Sequence, residues 1–172
     1  MNIKIIICGR GGEGVITLNK TLGIIFTLCN YSVISSETHG MAQRGGSVIT
    51  SLKIGNYSSP DIMYQSADYL ISTNFDEYVN QQCVISTYTI ALVNNASIPR
   101  LEVSDNVYRL NALKLSMDTF KTAKYINQIL TGFFLGIVKF NVNNLNKVIE
   151  KYKYINLKAV RLGFDESAKC FK

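Results

Sequence analysis

The first 37 residues carry the pattern that most restricts how this chain can fold. Residues 3–8 form a near-continuous β-branched run, which is typical of a strand buried on both faces of a parallel sheet. A glycine-rich segment follows, then apolar residues at helical spacing from 15 to 29, then a second strand over residues 31–37. This order is that of a βαβ unit, whose crossover is almost always right-handed. The chain is therefore predicted to begin with a Rossmann-like βαβ unit.

The remaining pattern continues with strands and ends with helices. Strands are predicted over residues 47–54, 69–73 and 89–93, an edge strand over 103–110, and a brief helix over 76–82. Helices are predicted over residues 126–137, 144–152 and 156–168. We expect one α/β domain spanning residues 1–172, a three-layer sandwich with a mostly parallel or mixed sheet, helices on both faces and a helical C-terminal third. Its functional loops are expected at the carboxyl ends of the first two strands.

Composition narrows the class of protein. Hydrophobic residues make up 47% of the chain and charged residues 17%, and no apolar run reaches the roughly 18 residues of a membrane span. The N-terminus does not resemble a signal peptide, so we expect a cytoplasmic protein without membrane contact. The four cysteines stand singly, which favours buried free thiols over a zinc or iron–sulfur site.

The positive charge is concentrated in the second half of the chain. The first 100 residues hold six Lys/Arg and six Asp/Glu, whereas residues 101–172 hold twelve against six, giving the net charge of +6. A solvated basic face is the simplest interpretation, and an acidic partner protein or a phosphorylated cofactor is the alternative. Without a recognisable motif or aromatic interleaving, nucleic acid is not predicted as a partner.

The first glycine-rich segment, residues 9–14, matches the Gly-x-Gly-x-x-Gly pattern of dinucleotide-binding loops. Its glycines are Gly9, Gly11, Gly12 and Gly14. A backbone without side chains lets phosphate oxygens approach amide groups at a helix N-terminus, and Glu37 stands where a ribose-binding acid is expected. Arg10 and Glu13 bring charge into the same loop, and any strand that turns tightly into a helix needs glycine. A nucleotide site and a purely structural turn therefore both remain open.

A second segment lies directly behind the second predicted strand and contains the only histidine of the chain. Its candidate residues are His39, Gly40, Gln43, Arg44, Gly45 and Gly46. The glycines permit positive φ, Arg44 presents a forked cation, and His39 titrates near neutrality. Structural roles are the alternative: Arg44 pairing with Glu37, His39 making a packing hydrogen bond, and Gln43 binding backbone across the loop.

Other conspicuous residues are predicted to be structural. Glu13 is expected in the first turn of the first helix, where the macrodipole favours a carboxylate. Asn127 and Asn156 are expected to be buried amides that fix register or cap a neighbouring element. A set of aromatic residues is expected in the core or at a subunit contact: Phe133, Phe134 and Phe140.

The two glycine-rich segments together resemble the gamma subunit family of 2-oxoacid:ferredoxin oxidoreductases. The amino-acid sequence around His39 is most similar to that of the beta subunits of indolepyruvate:ferredoxin oxidoreductases. The resemblance spans essentially the whole chain and continues at Ser59-Pro60, Ala67-Asp68, Glu77, Asn127, Leu135-Gly136, Asn156 and Gly163. The family usually has glutamine where Glu13 stands, and residues 81–104 match it poorly, so the 2-oxo acid is left unassigned.

The resemblance implies an accessory subunit without catalytic residues of its own, inactive alone. The complex would decarboxylate a 2-oxo acid oxidatively, form an acyl-coenzyme A and reduce ferredoxin. Thiamine diphosphate and iron–sulfur clusters would lie on a larger partner subunit of a hetero-oligomer, and no cofactor would be bound by this chain alone. The residues implied in a shared coenzyme A site or an interface loop are Gly9, Gly11, Gly12, Glu13, Gly14 and Arg44, with Glu37, His39, Gly40, Gln43, Gly45 and Gly46.

Two alternatives from other classes stay open on the residues alone. The βαβ unit and its glycine loop also suit an autonomous nicotinamide- or flavin-binding oxidoreductase, although the second half offers no obvious catalytic constellation. A binding or regulatory module that holds a nucleotide without turnover is the third possibility. Dinucleotide binding by the isolated chain would distinguish both alternatives from the accessory subunit.

Overall fold

Seven strands form one mixed sheet in the computed structural model, which describes residues 1–38, 45–141, 152 and 154–171. The strands are β1 Ile3–Arg10, β2 Val33–Thr38, β3 Ser47–Ile54, β4 Tyr69–Ser72, β5 Ile90–Asn94, β6 Leu101–Ser104 and β7 Val107–Leu110. Their order across the sheet is β2-β3-β1-β4-β5-β7-β6. The strands β1, β4, β5 and β7 are parallel, whereas β3 and β6 run antiparallel to their neighbours. The mixed sheet predicted from the sequence is confirmed.

Helices cover both faces of this sheet. They are α1 Val15–Leu28, α2 Phe75–Asn80, α3 Ala112–Phe120, α4 Ile126–Ile137 and α5 Leu157–Ser167. The larger core lies between one face of the sheet and α1, α3, α4 and α5, and it contains Phe133, Phe134 and Phe140 as predicted. A smaller core lies on the other face, where Tyr78 of α2 packs beside Ile6 and Leu70. Within the described ranges, no helix is both long and apolar enough to cross a membrane.

The insertion of β3 changes the expected βαβ geometry. A strand that follows β2 through a short connection returns antiparallel to it, and Val33 is paired with Ile54. The other edge of β3 pairs with β1, with Ile3 opposite Ile54. The two strands of the predicted βαβ unit are therefore not neighbours, because β3 lies between them.

Most predicted boundaries agree with the structure to within two residues. The segment 103–110 is an exception: it is not one edge strand but part of a hairpin, because Asp105 takes a φ of 45° and turns the chain between β6 and β7. Asn30, with a φ of 63°, follows the end of α1, and the Asn156 side chain caps α5 by accepting from Ala159 N at 3.2 Å. The predicted helix over residues 144–152 falls outside the described residues, apart from residue 152.

Candidate functional site

The carboxyl ends of three parallel strands meet at one edge of the sheet, beside the glycine loop (residues 9–14). β1 runs into this loop, β4 into Thr73 and Asn74, and β5 ends at Asn94. In open α/β sheets, ligand sites lie outside the carboxyl ends of the strands. The antiparallel β3 begins at the same edge, so the residues just before it, Gly45 and Gly46, also reach this site.

Close packing requires two of the glycines. A Cβ on Gly9 would lie 1.8 Å from Thr73 Oγ1, and one on Gly14 would lie 2.4 Å from Asn127 Nδ2. Neither distance allows a side chain. Gly12 and Gly14 both have a positive φ, +99° and +79°, but a Cβ on Gly12 would meet nothing within 4 Å. Gly9 and Gly14 thus serve packing within the chain, whereas Gly12 has open space beside its backbone.

Glu13 holds the glycine loop from within. Its Oε2 accepts hydrogen bonds from Arg10 N at 2.8 Å, Thr73 Oγ1 at 2.5 Å and Asn74 Nδ2 at 2.6 Å. The predicted position in the first turn of α1 is wrong, because Gly14 is the N-cap residue and α1 begins at Val15. These donors join the carboxylate to the end of β1 and to the two residues after β4, so its charge is engaged by the protein itself.

Asn127, near the start of α4, joins that helix to the glycine loop. Its Nδ2 donates to the backbone oxygens of Glu13 at 2.9 Å and Gly14 at 3.3 Å. Its Oδ1 is buried and has no hydrogen-bond partner within the described part of the chain. The two bonds agree with the predicted role of Asn127 in holding neighbouring elements together, but the residue is half-buried and not buried as predicted.

A cavity of about 260 Å³ opens between the glycine loop and α4. Its lining residues are Gly12, Glu13, Thr73, Asn94, Ala123, Lys124, Ile126 and Asn127. A 3₁₀ turn, Ala123–Tyr125, leads directly into α4: Ile126 N donates to Ala123 O, and Thr122 Oγ1 caps the turn by accepting from Lys124 N at 3.3 Å. Lys124 is exposed at this site and pairs with no carboxylate among the described residues. A lysine beside open glycine backbone suits an anionic group such as a phosphate.

The second predicted loop reaches the first one directly. Gly11 N donates to Gly46 O at 2.8 Å, and Gly45 has the positive φ, +96°, that the sequence predicted for this segment. The two loops are thus in contact although their strands are not neighbours. His39, Gly40, Gln43 and Arg44 lie outside the described residues, so their roles stay predictions.

Glu37 does not occupy the position of a ribose-binding acid. It pairs with Thr50 of β3, which pairs with Ile7 of β1. Two strand spacings, about 9.6 Å, therefore separate Glu37 from β1 at a level before the glycine loop begins. Its carboxylate lies 3.7 Å from Lys20 Nζ on α1. The insertion of β3 is the reason that this part of the dinucleotide-binding pattern fails.

The cysteines offer no reactive group at the site. Cys8 is fully buried in β1, and burial raises the pKa of its thiol to about 11, with a smaller opposing effect from the hydrogen bond of Ser72. Cys29 and Cys170 are half-buried and Cys83 is exposed, so the expectation that the thiols are buried is confirmed only for Cys8. Among the described residues, which exclude His39, no group of three or more His, Cys, Asp or Glu side chains is placed to hold a metal ion.

Four residues of this site were not identified from the sequence: Thr73, Asn74, Asn94 and Lys124. The first three stand directly at the ends of parallel strands, so the rule that ligands bind at carboxyl ends could have found them once β4 and β5 were assigned. Lys124 belongs to the basic second half, but the sequence did not indicate which of its cations reaches the loop.

Comparisons with known proteins place the chain in a narrow group. Residues 4–166 match the family model described as pyruvate ferredoxin/flavodoxin oxidoreductase. The indolepyruvate oxidoreductase subunit IorB of Archaeoglobus fulgidus is 25% identical over 97% of this chain and 96% of its own length.

Two solved structures share the fold. The gamma subunit of a keto/oxoacid ferredoxin oxidoreductase from Geobacter sulfurreducens has a TM-score of 0.74 at 16% identity, covering 97% of this chain and 99% of that one. The 2-oxoglutarate:ferredoxin oxidoreductase from Magnetococcus marinus, solved with 2-oxoglutarate, coenzyme A and succinyl-CoA bound, has a TM-score of 0.65 at 15% identity, covering 98% of this chain and 30% of that one. In the second protein the similar region is therefore one part of a longer chain.

Proposed function

Because the chain belongs to the pyruvate ferredoxin/flavodoxin oxidoreductase family, we propose that it is the accessory, gamma-type subunit of a 2-oxoacid:ferredoxin oxidoreductase. The complex oxidatively decarboxylates a 2-oxo acid, transfers the acyl group to coenzyme A and passes the electrons to ferredoxin. The likeness to IorB over nearly the full length of both chains supports an indolepyruvate-like substrate. In this proposal residues 1–172 form one gamma-type domain of a cytoplasmic hetero-oligomer.

The redox cofactors are assigned to a larger partner subunit. Thiamine diphosphate supplies the decarboxylation chemistry when bound there, and iron–sulfur clusters carry the electrons onward. The donor set of this chain does not suit a cluster, because Cys8 is buried with a raised pKa and the described residues contain no group of three or more His, Cys, Asp or Glu side chains placed to hold metal. This chain contributes binding surface, and its own residues carry no catalytic step.

The cavity beside the glycine loop is the part of this chain that we assign to coenzyme A. The observation that carries this assignment is the meeting of Lys124 and the open backbone at Gly12 around one cavity. A volume of about 260 Å³ is below the range of roughly 300–1,000 Å³ for sites that enclose a drug-sized ligand. The cavity therefore suits a phosphate end of coenzyme A, with the remaining parts of the molecule held by the partner.

The autonomous dinucleotide-binding alternative fits the geometry less well. A dinucleotide site of the Rossmann type uses the acid at the end of the neighbouring strand, and here β3 separates Glu37 from the glycine loop. Asn127 also covers Gly14, at the helix end where a pyrophosphate would lie. We therefore retain the interface or coenzyme A role of the loops.

Purification of the tagged chain from its own cells tests the proposal. We expect a larger chain in stoichiometric amount, thiamine diphosphate and iron–sulfur clusters in the purified complex, and coenzyme A-dependent reduction of ferredoxin with a 2-oxo acid. The tagged chain without its partner is the control and should be inactive. Recovery of the chain alone in good yield with a bound nicotinamide or flavin dinucleotide would overturn the proposal in favour of the autonomous alternative.

A further inference from the structure

A buried carboxylate lies beneath the site and contacts two of its segments. The side chain of Glu77, on α2, is only 5% exposed. Its Oε2 accepts from Ser47 Oγ at 2.7 Å, while Oε1 lies 3.8 Å from Arg10 Nε and 3.4 Å from Asn80 Nδ2. Burying a charged carboxylate is unfavourable unless cations and hydrogen-bond donors surround it, so these contacts determine where the side chain can stand.

The two main partners of Glu77 belong to different parts of the site. Arg10 is the second residue of the glycine loop. Ser47 is the first residue of β3 and the last residue of what we call the return segment (residues 45–47). These two parts also touch each other through Gly11 N and Gly46 O, at 2.8 Å. Glu77 therefore contacts both parts, through an ion pair with Arg10 and a hydrogen bond from Ser47, while the two parts also contact each other.

The helix that carries Glu77 is also connected, through its cap residue, to a residue that lines the cavity. Asn74 caps α2 by accepting from Glu77 N at 2.8 Å, and its Nδ2 donates to Glu13 Oε2 at 2.6 Å. Glu13 lines the cavity, whereas Glu77 does not. Any effect of Glu77 on a ligand must therefore act through the residues that it holds.

We propose that Glu77 is a positioning residue that fixes the glycine loop against the return segment and thereby sets the affinity of the assembled complex for coenzyme A. This inference rests on the proposed function for its ligand. The loop contacts themselves belong to this chain alone and can be measured without turnover.

Three variants isolate the role of the carboxylate. Glu77→Gln keeps the shape and an acceptor for Ser47 but removes the charge that faces Arg10. Ser47→Ala removes one hydroxyl at an exposed position, so the fold is expected to survive, and Ser47→Thr restores the hydroxyl. Asp76→Asn is the matched control, since Asp76 also binds Arg10, at 2.8 Å, but is 66% exposed, and exposed pairs contribute little.

Two measurements on these variants test the proposal. In the assembled complex, Glu77→Gln and Ser47→Ala should raise KM for coenzyme A by about 2- to 30-fold at unchanged kcat, with Ser47→Thr close to wild type. In the isolated chain, hydrogen exchange of the glycine loop and of residues 45–47 should rise together in the first two variants. Asp76→Asn should change neither.

The outcomes separate this inference from the proposed function. Unchanged loop exchange in Glu77→Gln and Ser47→Ala would overturn the positioning role whatever the complex does. An equal response in Asp76→Asn, or a lowered melting temperature with no change in KM, would also overturn it, because a merely structural carboxylate gives that pattern. A third outcome concerns the proposed function: the variants raise hydrogen exchange in both loops as expected, but the activity of the wild-type complex does not depend on coenzyme A. That outcome would overturn the proposed function and leave the loop contacts of Glu77 intact.

Discussion

Glu13 shows how one side chain can determine the shape of a loop. Three donors from three different residues converge on a single oxygen, Oε2. The sequence suggested that this carboxylate would crowd a phosphate, but the structure uses its charge to hold the loop on β4. The glutamine usual in the resembling family offers one amide oxygen to the same donors and lacks the charge that strengthens these bonds.

Replacement of Glu13 should therefore lower the free energy of unfolding, and more so when the replacement has no side-chain oxygen to accept these hydrogen bonds. We expect Glu13→Ala to lower the free energy of unfolding by about 2 kcal/mol and Glu13→Gln by about 1 kcal/mol, because hydrogen bonds to charged groups contribute roughly 1.5 to 3 kcal/mol and this site is only partly buried. Urea denaturation of the three proteins measures both values. Equal stability of wild type and Glu13→Ala would show that the three hydrogen bonds do not hold the loop.

Thiol chemistry gives a second test at the level of single residues. Cys8 is fully buried with a pKa raised to about 11, whereas Cys83 is exposed. A thiol reagent at pH 8 should therefore modify Cys83 rapidly, the half-buried Cys29 and Cys170 more slowly because burial raises their pKa, and Cys8 only after unfolding, since the thiolate is the reactive form. Cys83→Ala should remove the rapid phase, and Cys8→Ala should leave it unchanged. A rapid phase that survives in Cys83→Ala would contradict the assignment.

The raised pKa of Cys8 also fixes the sign of a stability change. The folded state holds the Cys8 proton more tightly than the unfolded chain, whose thiol pKa is about 9.0. The contribution of Cys8 to stability is therefore complete below pH 9 and is lost as pH rises toward 11. Cys8→Ala should show a smaller fall in the free energy of unfolding than wild type between these two pH values, measured by urea titration.

At the scale of elements, helix α4 is fixed by its two neighbours. Asn127 joins its start to the glycine loop, and its glycines allow α5 to approach very closely. A Cβ on Gly132 would lie 1.8 Å from Val160 O, and one on Gly163 would lie 1.9 Å from Ile129 O. The wall of the cavity therefore depends on a helix pair whose backbones are in contact.

This contact predicts opposite effects for two glycine substitutions in helices. Gly132→Ala should lower the free energy of unfolding by about 2 kcal/mol, because a backbone oxygen cannot move aside for the new methyl group. Gly23→Ala, within α1, should raise it by about 0.5 to 1 kcal/mol, since its Cβ would meet side chains at 3.7 and 3.8 Å and alanine favours a helix. Thermal and urea unfolding measure both changes. A stabilising Gly132→Ala would show that α4 and α5 lie farther apart.

The sequence predicted elements better than it predicted their neighbours. Local signals, such as the β-branched run before Gly9 and the capping Asn156, are read within a few residues and gave boundaries close to those observed. The order of strands depends on pairing between segments that are distant in sequence. No local pattern predicted that β3 lies between β1 and β2. Thr73 and Asn94 stand at the ends of strands that the sequence did predict, but their meeting with the glycine loop depends on the order of the strands, which local patterns do not determine.

At the scale of the whole molecule, the family resemblance predicted from the two glycine-rich segments is confirmed. The match extends over residues 4–166, well beyond those segments. The later positions of the resemblance now have physical reasons: Asn127 ties α4 to the loop, Asn156 caps α5, and Gly163 permits the contact of α4 with α5. These are requirements of the fold; of the residues that the resemblance implied in a ligand site, Gly12 and Glu13 line the cavity.

The basic second half supplies the last prediction, which concerns the assembled complex. Lys124 belongs to that half and lines the cavity. Its positive charge attracts a phosphate bound beside it, and dissolved salt screens this attraction only in part. Lys124→Glu should raise KM for coenzyme A by about tenfold or more, with a smaller difference at high salt because screening weakens both attraction and repulsion. Lys114→Glu is the matched control, because Lys114 is an exposed lysine on α3 that does not line the cavity.

Steady-state assays of 2-oxo acid-dependent ferredoxin reduction measure both variants at two ionic strengths. An equal rise in KM for both would mean that coenzyme A responds only to the net charge of the subunit, and an unchanged KM in Lys124→Glu would place the phosphate outside this cavity.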